Sequence, residues 1–372
     1  MKSITEILGG AQILLGVSFD IQQSFEEYLT EDQRSFIAML RVIEEQLPSD
    51  YRSNHIGRPA YQCHPFIRSF LALSFFRIST MDDLRKRLHT DPNLRMICGF
   101  HKIPSLATFS RRMSEYAQSE SLNTLFDGLV QRHLSGKIIG HISRDSTAIP
   151  SREKPIKTKT KIQPVKKRKR GRPRKGEERP KKEMTQLEKQ IDMDGAKAIS
   201  ELNLSCAWGY KKNSQGKSSS WKGYKLHLDI TDFGIPVTAI ITGANVHDSQ
   251  LAIPMEKITS NKITFLYSLM DAAYDAQPIL SYIKKQNRVP LVDPNKRRKS
   301  AREPFGSAQK QRYKIRTTVE RANAHLKDWL IPEHICVRGS KKVSFFLMCA
   351  VVNLAVIKIL HYYILPELQA AA

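Results

Sequence analysis

A break in composition after residue 150 limits what this chain can fold into. Residues 151–192 hold 17 lysines and arginines against six acids, a local charge of +11, with few apolar side chains before Met184. Such a stretch cannot bury enough apolar surface to offset the entropy of ordering its backbone. It is expected to be a basic, flexible insertion, a loop or arm. The packed structure must then come from the flanks, and the two flanks have different periodicities.

From about 20 to 135, apolar residues recur at spacings of three and four, as in "FIAMLRVIEEQL" and "PFIRSFLALSFFR", with Thr80 and Ser105 placed as helix caps. Residues 1–135 therefore read as an all-α region. Within it, "TMDDLRKRLHTDPNLRMICGF" and "PSLATFSRRMSEYA" give two helices around a break, the second carrying Arg111 and Arg112 near its start. This resembles a helix-turn-helix reader of DNA. An ordinary charged surface helix would give the same pattern, and both readings stay open.

Around and beyond the insertion the pattern is α/β. "KIIGHIS" is a short strand, "GYKLHLDITDFGIPVTAIITGANVHD" is a hairpin turning at Asp232-Phe233-Gly234, and "ITFLYSLMDAAYD" is a buried strand entering a turn. Helices over 249–260 and in "AQPILSYIKKQ" interleave with them, so residues 136–365 read as a mixed α/β domain. At 372 residues, two or three compact units are expected. The longest apolar run, "VSFFLMCAVVNLAVIKIL", is interrupted by Ser344, Asn353 and Lys358 and is expected to be a buried helix, with no membrane partner. The N-terminus lacks the order of a signal peptide. Five scattered cysteines, without a C-x-x-C pair, fit a reducing cytosol and encode no local zinc site.

A formal charge of +24 calls for a polyanion, most simply nucleic acid. At the centre of the insertion, Arg170-Gly171-Arg172-Pro173 is similar to the core of an AT-hook, which lays arginines into a narrow minor groove of enhanced negative potential. An unspecific basic linker would also attract phosphate.

Three acids stand apart from this positive charge. Asp145 ends the strand "KIIGHIS", Asp271 ends the strand "FLYSLM", and Glu320 lies inside "YKIRTTVERANAHLK", which reads as one basic helix. Two strand ends and a helix can converge. Carboxylates that converge repel unless they share a cation, and hard oxygen donors suit Mg²⁺. Two such ions would stabilise the attacking and leaving oxygens of a displacement at phosphorus. Spacing alone does not exclude the competing acids Asp248, Asp275 and Asp293.

Tyr313, Arg316, Glu320 and Lys327, with gaps of two, three and six residues, match the Y-(2)-R-(3)-E-(6)-K signature. On these residues the chain resembles the DDE transposases of bacterial insertion sequences, the IS-four and IS-five superfamily. "RDSTAIP" is similar to the block carrying the first aspartate of that family, "LMDAAYDAQPI" to the block carrying the second, and "GANVHDSQLAIP" to the segment between. The order and context agree from about 138 to 360.

The resemblance implies an RNase H-like catalytic domain preceded by DNA-end-binding helices. It implies Asp145, Asp271 and Glu320 as catalytic residues holding two Mg²⁺ ions, for which Mn²⁺ can substitute. Water would be activated to cut the element's ends and the freed 3′-hydroxyl to attack target DNA. Arg316 and Lys327 would contact phosphates, Tyr313 the DNA end, and the protein would act as a homodimer on DNA in the bacterial cytoplasm, at the nucleoid. One departure stands out: the family's glycine after the second aspartate is Ala273, so the turn is expected either to need no positive φ or to tolerate alanine there at modest cost. A binding protein with a decayed site, or a nuclease that cuts without joining, are the competing functions. The intact carboxylates and signature argue against decay.

Overall fold

The spine of the fold is β1 (Ile138–Pro150) in a six-stranded mixed sheet. The structure is a computed structural model describing residues 28–44, 46–47, 61–155, 184–212, 215–295 and 303–366. Isoleucines 139, 142 and 149 bury β1 in the core. Numbered in chain order, the other strands are β2 (Ala207–Lys212), β3 (Ser218–Thr231), β4 (Pro236–Gly243), β5 (Thr264–Met270) and β6 (Val289–Val292). One edge of β1 pairs antiparallel with β3, and the other pairs parallel with β5, which pairs parallel with β6. On the far edge of β3 lie β4, returned by the expected turn at Gly234 (φ +80°), and β2. The central order β4-β3-β1-β5-β6, three antiparallel strands followed by two parallel ones, is the RNase H-like arrangement.

Helices cover both faces. Among the described residues six helices precede the sheet: α1 (Glu31–Glu44), α2 (Cys63–Phe75), α3 (Met81–Thr90), α4 (Pro92–Cys98), α5 (Leu106–Ser119) and α6 (Ser121–Leu134). The expected caps are present, Thr80 accepting from Asp83 N and Ser105 from Thr108 N. After β1 come α7 (Gln186–Asp192), α8 (Gly195–Ser200), α9 (Ala252–Lys262), α10 (Gln277–Lys285), α11 (Ser307–Tyr313), α12 (Thr317–His325) and α13 (Ser340–Ile359). On one face α12 crosses β1 and β3 while α13 rests on β4; α9 lies on the other face.

Three expectations need correction. First, β1 does not stop at Asp145 but continues to Pro150, because its partner β3 runs alongside it over that whole length. Second, the basic insertion is shorter than 151–192. Ser151 bridges to Ile335, and Thr185 with Glu188 forms a capping box that starts α7, whose Leu187 and Ile191 pack with Ile279 and Ile283. Arg170 and Arg172 lie outside the described residues.

Third, the helical region and the sheet are not separate units. Phe36, Phe66, Phe70 and Phe126 from the N-terminal helices share one continuous core with Phe345, Leu347 and Ala350 of α13 and with Leu226 and Leu228 of β3. The Phe70 and Phe345 rings meet edge to face at 5.4 Å. Helix α13 and the turn after it, Ser340–Ile364, are long and apolar enough to cross a membrane, yet 78% of the most apolar window is buried by protein. Its buried Asn353 donates Nδ2 to the Leu71 carbonyl of α2 at 3.0 Å.

Candidate active site

Strand register brings the two aspartates together. Ser143 of β1 is the parallel partner of Leu269 of β5, so two residues further along each strand Asp145 and Asp271 fall in the same row. Asp145 faces α12, where Asn323 Nδ2 donates to its Oδ2 at 3.3 Å. Burial pushes the Asp145 carboxyl up to about 6; Arg316 works against the rise, and Asp271 and Asp248 add to it. Asp271 ends β5 and turns the chain, its Oδ1 accepting from Ala273 N at 3.0 Å. Its carboxyl is also raised by burial. Among the described residues the non-glycine positions with positive φ are Arg77, Glu120 and Asn287, so Ala273 sits in this turn without strain.

The third acid arrives on α12. Arg316, Glu320, Asn323 and Lys327 recur at intervals of four, three and four, one stripe of a helical surface. The segment is not one regular helix: Tyr313 closes α11, Arg316 lies in a 3₁₀ turn, Glu320 in the first turn of α12 and Lys327 in a π-turn. Arg316 lies between the carboxylates. Its Nη1 donates to Glu320 Oε1 at 2.5 Å, and its Nη2 is 3.9 Å from Asp145 Oδ1. Burial opposes its charge, but Asp145, Tyr313 and Glu320 more than compensate and raise its pKa. Lys327 is lowered by burial and by the charge of Lys211. Tyr313 anchors the segment, its hydroxyl donating to the Met270 carbonyl at 3.0 Å, one residue before Asp271.

A family model described as transposase DDE domain matches residues 140–354, more than half of the chain. The chain belongs to this family of transposases. A second family model, described as a transposase domain, matches residues 20–115. No curated protein and no solved structure gave a match. This transposase is therefore an enzyme of the polynucleotidyl transferase and endonuclease type, from a family that uses divalent metal ions and acts on DNA.

The donor chemistry of the transposase site fits a hard divalent cation. All three acids offer carboxylate oxygens, and the buried Oδ1 of Asn323 and hydroxyl of Tyr274 beside them have no hydrogen-bond partner. Among the described residues, however, no three acidic, histidine or cysteine side chains are already gathered to hold a metal. Glu320, half exposed, is instead paired with Arg316.

Sequence reasoning did not single out Asn323, Lys211 or Tyr274. Asn323 shares the α12 stripe, and that spacing is the signal that would have found it. The side chains of two of the competing acids have partners of their own. Asp248 is held by Lys225 Nζ at 2.9 Å; burial works against its ionisation, but His227 and Lys225 outweigh this and lower its pKa. Asp275 accepts from Asn295 N at 2.9 Å, and the Asp293 backbone N–H donates to Met270. Behind the site, Arg144 is buried against Asp229 (2.7 Å) and Glu256 (3.2 Å), and Arg288 approaches Glu256 at 3.4 Å.

Of the predicted DNA contacts on α5, Arg111 is exposed. Arg112 is folded back onto Glu115 at 2.8 Å, the Tyr61 carbonyl at 3.1 Å and the Phe66 ring. Neither arginine is brought to the carboxylates. Trp221 packs over Gly209 of β2, its Nε1 donating to the Tyr224 carbonyl at 3.2 Å.

Proposed function

We propose that this transposase binds the inverted-repeat ends of an insertion sequence, cleaves them hydrolytically and joins the freed 3′-hydroxyls to target DNA. Asp145, Asp271 and Glu320 are the catalytic residues and would hold two Mg²⁺ ions, with Mn²⁺ as a substitute. Such ions supply Lewis acidity that activates the attacking oxygen and stabilises charge building at phosphorus. The observation that carries this reading is the shared row of Asp145 and Asp271, with Arg316 linking it to Glu320.

The chain's own residues divide the work. Arg316, in place between two acids, turns to a DNA phosphate when Glu320 is recruited, and Lys327 contacts the strand beside it. Asn323 orients Asp145, and Tyr313 fixes the end of β5 that carries Asp271. Arg111 offers a further phosphate contact, and Arg170 and Arg172 add attraction from the basic insertion. Two ends must be held together for joining, so the protein works as a homodimer on DNA.

The test is cutting and joining of DNA that carries the element's terminal repeats, in Mg²⁺. Asp145→Ala, Asp271→Ala and Glu320→Ala should each lower cutting by roughly a hundredfold to a thousandfold while binding persists. A wild-type protein that cuts without joining would be a nuclease. One that binds without cutting would be a DNA-binding protein only.

A further inference from the structure

β3 outruns its partner β1. Pro150, the last residue of β1, pairs with Gly223, the next residue Ser151 still donates to the Lys222 carbonyl, and from Trp221 back to Ser218 β3 is paired only with β2. The result is a two-stranded ribbon continuing past the end of the main sheet, on the side toward which β1 runs after Asp145. Trp208 and Tyr210, two residues apart on β2, occupy one face of the ribbon and are 62% and 67% exposed. Lys222 stands opposite Trp208 and Ser220 opposite Tyr210, and the Tyr210 hydroxyl meets that of Ser218.

The opposite face is built differently. The Trp221 ring lies so close over Gly209 that a Cβ there would come within 2.5 Å of it. That ring stiffens the ribbon, whereas Trp208 and Tyr210 are left to solvent. Lys211, on the Trp221 face by strand alternation, is near enough to the site that Asp271 and Lys327 both feel its charge. Large exposed aromatics on a ribbon of two strands add little to its own stability. Their neighbours are lysines and serines, not an apolar rim, and a second copy of the ribbon would bring lysine against lysine. An anionic partner with flat faces fits both features, and unpaired nucleotides have them.

We infer that the β2–β3 ribbon is a stacking platform for unpaired bases of the DNA strand whose phosphate is held at the carboxylates, with Trp208 and Tyr210 against the bases and Lys222, on the same face, on the backbone. This rests on the proposed DNA-cleaving function and assigns to it a second contact surface.

The test uses the full-length protein with a blunt duplex and with the same duplex carrying a single-stranded overhang that contains a fluorescent base analogue. The wild type should bind the overhang more tightly and quench the analogue. Trp208→Ala combined with Tyr210→Ala should lose about tenfold or more in affinity for the overhang, with little change on the blunt duplex. The quenching should disappear with it, while Trp208→Phe retains it. Equal losses on both DNAs, or quenching that survives the double substitution, would overturn the platform. Asp145→Ala should keep the quenching and lose cutting. A wild-type protein that quenches but never cuts would support the platform and sink the catalytic reading.

Discussion

Asp145 carries a cost that can be measured without any substrate. Burial lifts its carboxyl from the usual carboxylate range to about 6. A carboxyl raised on folding stabilises the native state while protonated, fully below the unfolded value, and that contribution is lost as pH rises through the folded value. In chelator, Asp145→Asn should thus differ least from wild type near about pH 4 and become the more stable protein by about pH 7, by at most about 3 kcal/mol. Thermal midpoints across that range check this, and a gap independent of pH would refute it. Arg144, next in sequence, faces the other side of the sheet and serves a different end. It is the buried cation between Asp229 and Glu256, and burial already raises the Glu256 carboxyl. Arg144→Met leaves two buried acids with Arg288 alone for company, and denaturant titration should show a loss of about 3–5 kcal/mol. Adjacent residues in "RD" thus have opposite sensitivities, one structural and one at the candidate site.

At the level of elements, α12 is what turns two strand-borne acids into a site. Its Asn323 is the contact that fixes Asp145, so Asn323→Ala should leave the melting temperature nearly unchanged while weakening divalent-metal binding roughly tenfold to a hundredfold. Calorimetric titration with Mg²⁺ or Mn²⁺ would measure it, and unaltered affinity would remove Asn323 from the site. The residues of this stripe were unequally legible. Arg316, Glu320 and Lys327 stood out because charged types at fixed spacing form a recognisable pattern, whereas an amide one turn from Glu320 looks like any surface asparagine. The order of strands and helices could be read from alternation and turn residues. That Asp145 and Asp271 share a row could not, because register depends on which strands pair, and β1 is joined to its neighbours across segments far apart in sequence. The length of β1 was misjudged for the same reason: Ser146 to Pro150 opens on two hydroxyl residues and ends in proline, and only β3 alongside makes it strand. Helix α7 was absorbed into the basic insertion because two apolar residues are too few to show a period, although the Thr185–Glu188 capping box was present.

Across the whole molecule, α13 binds the helical region to the sheet. Its sequence is nearly uniform in apolarity, with no polar stripe to mark an outer face, and Val343 together with nearly every residue from Phe345 to Val356 is buried. A helix apolar on all sides needs partners on all sides. The sheet supplies one through β4, and α1, α2, α5 and α6 supply the rest. Composition had suggested separable units because helical and α/β periodicities change near residue 135. Periodicity reports which face is buried but not what buries it. The consequence is a prediction about folding units: a fragment beginning at residue 136 should not fold as a native catalytic domain. Without the N-terminal helices, α13 would expose Phe345, Phe346 and their neighbours, a patch far larger than soluble surfaces carry. The fragment should aggregate or remain partly ordered, with near-ultraviolet circular dichroism lost and an apolar dye bound. The full chain should unfold with the helical and sheet signals in one shared transition. A soluble fragment with native near-ultraviolet signal, or two separated transitions in the intact protein, would show that the helical region is detachable. The shared core through Phe70 and Phe345 would then contribute little to holding the molecule together.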